Sequence, residues 1–476
     1  MVFTEPSFFL FFPIFACLYF FSSGRARLWV CLTGSYFFYG WWDWRFTFII
    51  AFLTGVNYWL GLRIGAAPDQ KRRKAYVVAS VATSLCVLGY FKYTNFFISS
   101  FAGMLEGMGL QAHLSTLNII LPVGISFYTF QTMSYTIDVY RRQIEAEKSL
   151  LHFAVYAAFF PQLMAGPIVR ASNFLPRLRQ EPQFEWDRLV RGTAMVAWGF
   201  VMKTMLADSL ALAVDARFMH PGVEHAGSLL IGAVFYTFQI YGDFAGYSLI
   251  AIGLAHILGF DYKANFDRPY FSSSFSEFWR RWHISLSTWL RDYLYIPLGG
   301  NRKGKVRTYI NLMLTMLLGG LWHGAAWNFV FWGFLHGAML CVQRVFESIF
   351  GKEGVVRPLV VRILGKAAAI AFVFIMVSIA WVFFRAGSFH VAATVLGRIA
   401  TQGDFSFAAV PQKFEIVRGF LLIGMVVFAE AISFKVNIRE LADRHMWLYG
   451  IFIVGCLLVI SLFATLGSST FIYFQF

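Results

Sequence analysis

Apolar stretches close to the length that crosses a bilayer recur along the whole chain, near residues 7–22, 28–42, 46–62, 75–91, 117–137, 151–168, 190–212, 228–258, 308–345, 366–385, 416–433 and 446–465. A spanning helix needs about 20 mainly apolar residues, because every backbone N–H and C=O within the bilayer must be paired inside the segment. Only 14% of the 476 residues are charged and 58% are apolar, so no polar surface remains to clothe a series of soluble domains. The expectation is one all-α, polytopic membrane domain over residues 1–476, with about ten to twelve transmembrane or re-entrant helices. The first apolar stretch has neither a basic lead nor a small-residue cleavage site, so it reads as a retained helix.

The basic residues, 40 against 25 acidic for a net charge of +15, fall between these stretches. Topology explains them without a nucleic-acid partner. Arg25 and Arg27 follow the first span, and Arg63, Lys71, Arg72, Arg73 and Lys74 follow the third. Two spans separate the clusters, which puts both on one side. The positive-inside rule makes that side cytoplasmic and the N-terminus extracytoplasmic. Asp138 with Arg141 and Arg142 reads most simply as an interfacial ion pair. The cysteines Cys17, Cys31, Cys86, Cys341 and Cys456 lie in apolar runs without a CxxC pair, so neither a disulfide framework nor a metal site is expected. No repeat of fixed period is present, which disfavours inverted-repeat transporters.

Two stretches carry chemistry into this apolar background. Between Asn265 and Arg307, Ser274 and Glu277 form a capping box, which predicts a helix from there to about Asp292. Ser276, Arg280, His283, Ser287 and Arg291 would share one stripe of it, and Phe275, Phe278, Trp282 and Trp289 another. Such a helix suits the membrane interface, with His283 incidental. Arg302, Lys303, Lys305 and Arg307 follow the turn at Pro297, Gly299 and Gly300.

Between Thr308 and Val345, His323 and His336 lie deep in an apolar run, where an ionisable residue is a functional candidate by default. Gly319, Gly320 and Gly324 flank His323, so the helix is expected to break there and let backbone approach a substrate. On an unbroken helix the two histidines would point about 220° apart, so one of them is structural, and His336 suits that role. Neutral imidazole is well poised to take a proton from a hydroxyl near pH 7. No GxSxG, HExxH, Walker or GxGxxG motif supports a competing chemistry. The residues alone leave a histidine-dependent transfer and a proton or substrate pathway both open. Gln239, Tyr241 and Asp243 place polar groups in the span 228–258, to orient a tunnel or to hydrogen-bond between helices.

The block FSEFWRRWHISLSTWLRDYLYIPLGGNRKG, followed by LLGGLWHGAAWNFVFWGFLHG, resembles the membrane-bound O-acyltransferases, and within them the bacterial polysaccharide branch that acetylates alginate. FFPQLMAGPIVRASNFLPRL (159–178), SYTIDVYRR (134–142) and YTFQIYGDFAGYS (236–248) are similar to the same branch, so the likeness covers about residues 117–345. The resemblance implies a helical rim around a thin core with a tunnel, and a bacterial inner-membrane location. It implies His323 of the WHG motif and His283, a second histidine of the same tunnel, as the catalytic residues, which replaces the incidental reading of His283, with Gln239, Asp243, Trp322 and Asn328 as candidate lining. Acetyl-CoA is the implied donor and not a resident cofactor. Arg280, Arg281, Arg302 and Lys303 are candidates for its phosphates, though a solvated basic loop explains them equally. Implied partners are membrane lipids, a periplasmic esterase-like acetyltransferase and a polysaccharide synthase or secretion complex. D-alanyl transfer to teichoic acid from a carrier protein and a non-catalytic channel or transporter are the competing expectations. The polymer, the immediate acceptor and a covalent acyl-histidine are beyond the sequence.

Overall fold

The computed structural model describes residues 1–110, 114–164, 166–350, 359–405, 412–436, 438–464 and 471–472. Among the described residues the regular elements are all helical. Six helical stretches are long and apolar enough to cross a membrane: Gly24–Ala66, Gln70–Gly107, Trp186–Met219, Ala226–Ile257, Trp327–Phe350 and Ile363–Arg385. The first of them, 43 residues long, holds two helices, Gly24–Asp43 and Thr47–Ala66, joined by a tight turn at Trp44–Phe46. Pro6–Phe21 and Trp447–Phe463 are apolar but shorter.

The chain divides into two compact units, one formed by Met1–Val196 with Ile250–Lys263, the other by Ala197–Leu249 with Ala264–Phe476. In the first unit, small polar groups tie three helices together. Ser80 Oγ donates to Asn57 Oδ1 (2.6 Å) and lies 2.7 Å from Thr136 Oγ1, while Asn57 Nδ2 donates to Ser84 Oγ (3.3 Å). Interhelical bonds of this kind are each worth roughly 0.6–2 kcal/mol inside a membrane, where no water competes.

Two expected spans take another form. The stretch 117–137 becomes helical only at Ile125, because Gly124 holds a left-handed φ of 74° and a Cβ there would meet the Leu163 carbonyl oxygen at 2.4 Å. The stretch 151–168 is broken into Leu150–Ala158 and the single turn Phe160–Leu163. Pro161 is the cause, since its ring clashes with the carbonyl four residues earlier and it donates no hydrogen bond.

In the second unit the run 308–345 is not one span but a helical hairpin, Lys305–His323 and Trp327–Phe350. Its glycines permit the close crossing: a Cβ on Gly320 would sit 2.2 Å from Phe329 O, and one on Gly333 would sit 2.3 Å from Met316 O. The break expected among Gly319, Gly320 and Gly324 therefore falls at Gly324 and not at Gly319 or Gly320. The helix runs through both and ends at His323, with Gly324 extended at φ −156°. There a Cβ would meet the Phe329 ring at 2.1 Å, so only glycine fits the turn.

Candidate active site

The predicted helix from Ser274 to Asp292 is also two helices. Ser274 Oγ accepts the Glu277 N–H (3.2 Å) as the capping box requires, and Phe275–Arg281 follows. The chain then turns at Trp282, and His283 adopts a left-handed conformation (φ 42°, ψ 55°) before Ile284–Leu290 begins. A left-handed non-glycine residue costs about 1–2 kcal/mol and persists where its surroundings over-determine it. Asn265 supplies that determination. Its backbone carbonyl accepts the Ile284 N–H (2.9 Å), and its Oδ1 accepts the Ser285 N–H (3.1 Å) and Ser285 Oγ–H (2.9 Å). These are orphan donors of the new helix start, so Asn265 caps it from a distant part of the chain. The single stripe from Ser276 to Arg291 is thereby broken: Arg280 stays exposed while His283 is completely buried, away from any interfacial surface.

The same amide sets the tautomer of His283. Its Nδ1 lies 3.2 Å from Asn265 Oδ1. A backbone N–H only donates, so the atom shared with Ser285 is the oxygen, and Asn265 Nδ2 correspondingly donates to Ser248 Oγ (3.0 Å). His283 Nδ1 must then carry the proton, which leaves its Nε2 as the basic nitrogen. Replacing Asn265 by leucine is expected to lower turnover about 10–100-fold, by analogy with the loss of a partner that orients a metal-bound histidine. The same substitution added to His283→Ala should cost little more; two independent losses would show that Asn265 does not act through His283.

His323, 3% exposed, is the last residue of its helix. Its ring centroid lies 6.3 Å from that of His283, too far for a direct N–H···N bond and suited to one small reacting group between them. Trp322, Trp332 and Phe384 wall His323 edge-on at 5.0, 5.1 and 5.4 Å, and Phe244 packs edge-on to His283 at 4.5 Å. These rings form an apolar box around the two imidazoles. His336 is separate in role: it lies against Phe278, Trp279 and Trp332, and neither ring nitrogen has a hydrogen-bond partner among the described residues.

The remaining candidates disperse. Trp322 stands beside both histidines (6.0 Å from His283). Asn328 Nδ2 donates to Ala386 O (2.7 Å), a tether between helices. Gln239 is buried, and its Oε1 accepts no hydrogen bond from the described residues. Asp243 is committed elsewhere: Oδ1 pairs with Lys203 Nζ (2.7 Å) and Oδ2 accepts the Ile472 N–H (2.7 Å). Arg281 pairs with Glu277 (2.8 Å), while Arg280, Arg302 and Lys303 are exposed. Sequence reasoning passed over Asn265, Ser248 and Lys203. Only Lys203 left a signal, as a charge inside an apolar stretch.

The described helices thus bring two buried histidines together, one of them oriented by Asn265, inside an all-helical membrane protein. The chain belongs to the membrane-bound O-acyltransferase family, whose sequence profile matches residues 141–384, and it is accordingly an O-acyltransferase. It is 43% identical to the "Probable alginate O-acetylase AlgI" of Azotobacter vinelandii over 90% of this chain and 84% of that protein. It is 45% identical to the protein of the same name in Pseudomonas aeruginosa (82% and 73%), and 34% identical to the "Peptidoglycan O-acetyltransferase" of Helicobacter pylori (85% and 80%).

Proposed function

We propose that this chain O-acetylates an exopolysaccharide, alginate or a chemically similar polymer such as cellulose, taking acetyl from a thioester on the cytoplasmic side of a bacterial inner membrane. The observation that carries the reading is the buried His323, set 6.3 Å from a histidine whose tautomer is held by Asn265. The names of the relatives supply the acetyl group and the polymer class.

In this scheme His323 accepts the proton of the attacking hydroxyl as its oxygen closes on the thioester carbonyl, and the C–S bond then breaks with return of the proton to the departing thiol. The His283 Nε2 lone pair is available to accept a hydrogen bond from a second hydroxyl of the acceptor, which would orient it. Acetyl-CoA is the proposed donor, with the exposed Arg280, Arg302 and Lys303 available to its phosphates. A periplasmic esterase-like acetyltransferase completes delivery to a polymer made by a neighbouring synthase. The basic loops after the first and third spans face the cytoplasm, which leaves the N-terminus periplasmic.

Purified protein offered acetyl-labelled acetyl-CoA with an acceptor oligosaccharide is expected to release thiol in a His323-dependent manner. Release from an acetylated carrier protein but not from the coenzyme would overturn the donor assignment. Loss of the gene product with no change in alkali-labile acetyl on the cell-surface polymer would overturn the acceptor assignment.

A further inference from the structure

The first unit contains a cavity of about 750 Å³, lined by residues that include Leu62, Gly65, Arg73, Arg142, Glu145 and Lys148. It is bounded by the end of helix Thr47–Ala66, the start of Gln70–Leu88 and the segment after Ile125–Tyr140. Three cations against one acid leave this lining with a charge of 3 − 1 = +2. The neighbouring Glu147 does not cancel it, being engaged by Arg179 (2.5 Å) and the Ser149 N–H (2.9 Å). Burial would raise the Glu147 carboxyl, but Ser149, Arg179 and His152 outweigh it and hold the pKa below the ordinary value.

Of these cations Arg73 is buried, while Arg142 and Lys148 are exposed. Arg73 is only 6% exposed. Its Nη2 donates to the carbonyls of Val139 (3.1 Å) and Tyr140 (2.8 Å), while its Nε has no acceptor among the described residues. Arg142 occupies the position after a helix end that normally takes glycine. Gln143 N–H bonds to Asp138 O (3.0 Å) and Arg142 N–H to Val139 O (3.1 Å), the Schellman pattern, and Arg142 holds φ at 59°. A guanidinium thus stands where glycine would be free of strain, and a strained residue at a cavity wall suggests a use for its side chain.

The volume is that of a site for an organic ligand and far exceeds a bare anion. Leu62, Ala66, Val139 and Ile144 give it an aliphatic side as well as a cationic one. We propose that this cavity binds a phosphate-bearing amphiphile, the phosphodiester headgroup of an anionic lipid, through Arg73, Arg142 and Lys148. Basic pockets between the ends of membrane helices suit such headgroups, and planar guanidinium matches phosphate in two bonds at once. The site is independent of the acyl-transfer reading.

The test uses delipidated full-length protein and native mass spectrometry, titrating phosphatidylglycerol, zwitterionic phosphatidylcholine and the soluble glycerol 3-phosphate. Phosphatidylglycerol is expected to bind most tightly, to lose at least about tenfold in affinity in Arg142→Gly and in Lys148→Ala, and to gain severalfold in Glu145→Gln, in line with the strength of charged hydrogen bonds. Arg142→Gly removes strain as well as charge, so its thermal midpoint should hold or rise, which separates lost binding from lost folding. Glycerol 3-phosphate binding that depends on Arg142 would support the phosphate site while assigning its ligand to the soluble pool. Both probes binding the variants as tightly as the wild type would overturn the proposal.

Discussion

Replacing His323 by alanine is expected to lower thiol release and cell-surface acetyl ester by about 10²–10⁴-fold, the range a positioned general base contributes. His323 is chosen over His336 by surroundings, since both are buried and both touch Trp332. His323 ends a helix and faces a second histidine at 6.3 Å, whereas His336 packs among Phe278, Trp279 and Trp332. Truncating a buried ring also opens a cavity in the aromatic box, which by itself destabilises by a few kcal/mol. His323→Gln separates the effects, because it retains most of the volume and a polar terminus but cannot take up a proton near neutral pH. The glutamine variant should be nearly as inactive as the alanine variant while melting close to the wild type. His336→Gln should behave in the opposite way, losing stability and keeping most of its turnover. Wild-type acetylation by His323→Gln at equal protein level would sink the general-base assignment.

The membrane class and the burial of His323 were legible because both are one-dimensional signals: long apolar runs, and an ionisable residue deep within one of them. The arrangement that orients the site was not. Asn265 and His283 are separated by 18 residues, and what joins them is a left-handed backbone at His283 that no periodic pattern contains. The capping box correctly placed the start of Phe275–Arg281 but implied a longer helix, because the N–H groups at the second helix start find their acceptors on Asn265, outside either helix. The glycines before His323 misled in a similar way. Flexibility was the natural reading, yet Gly320 faces the Phe329 carbonyl, so close packing of a hairpin is their use.

Lys203 and Asp208 show the same limit and lead to the second large effect. Five residues apart, they would point about 140° away from each other on a regular helix at 3.6 residues per turn. The segment Val201–Ala207 is instead a π-helical turn, whose wider winding brings Lys203 Nζ to 2.7 Å from Asp208 Oδ1. Asp243 Oδ1 lies at the same distance on the other side, so one cation holds two carboxylates, with all three groups at most 3% exposed. Lys203→Met is therefore expected to destabilise by about 3–5 kcal/mol, since it leaves two buried carboxylates with no cation between them. Asp243→Asn should cost less, because Lys203 and Asp208 remain a balanced pair and the asparagine Oδ1 can still accept the Ile472 N–H. Combining Lys203→Met with Asp208→Asn and Asp243→Asn should recover much of the loss, as replacing a whole buried ionic group is often near neutral. Thermal unfolding in detergent, compared across these variants, checks the order. If Asp243→Asn proved as damaging as Lys203→Met, charge imbalance would not be the cause, and the contact with Ile472 would be the interaction that matters.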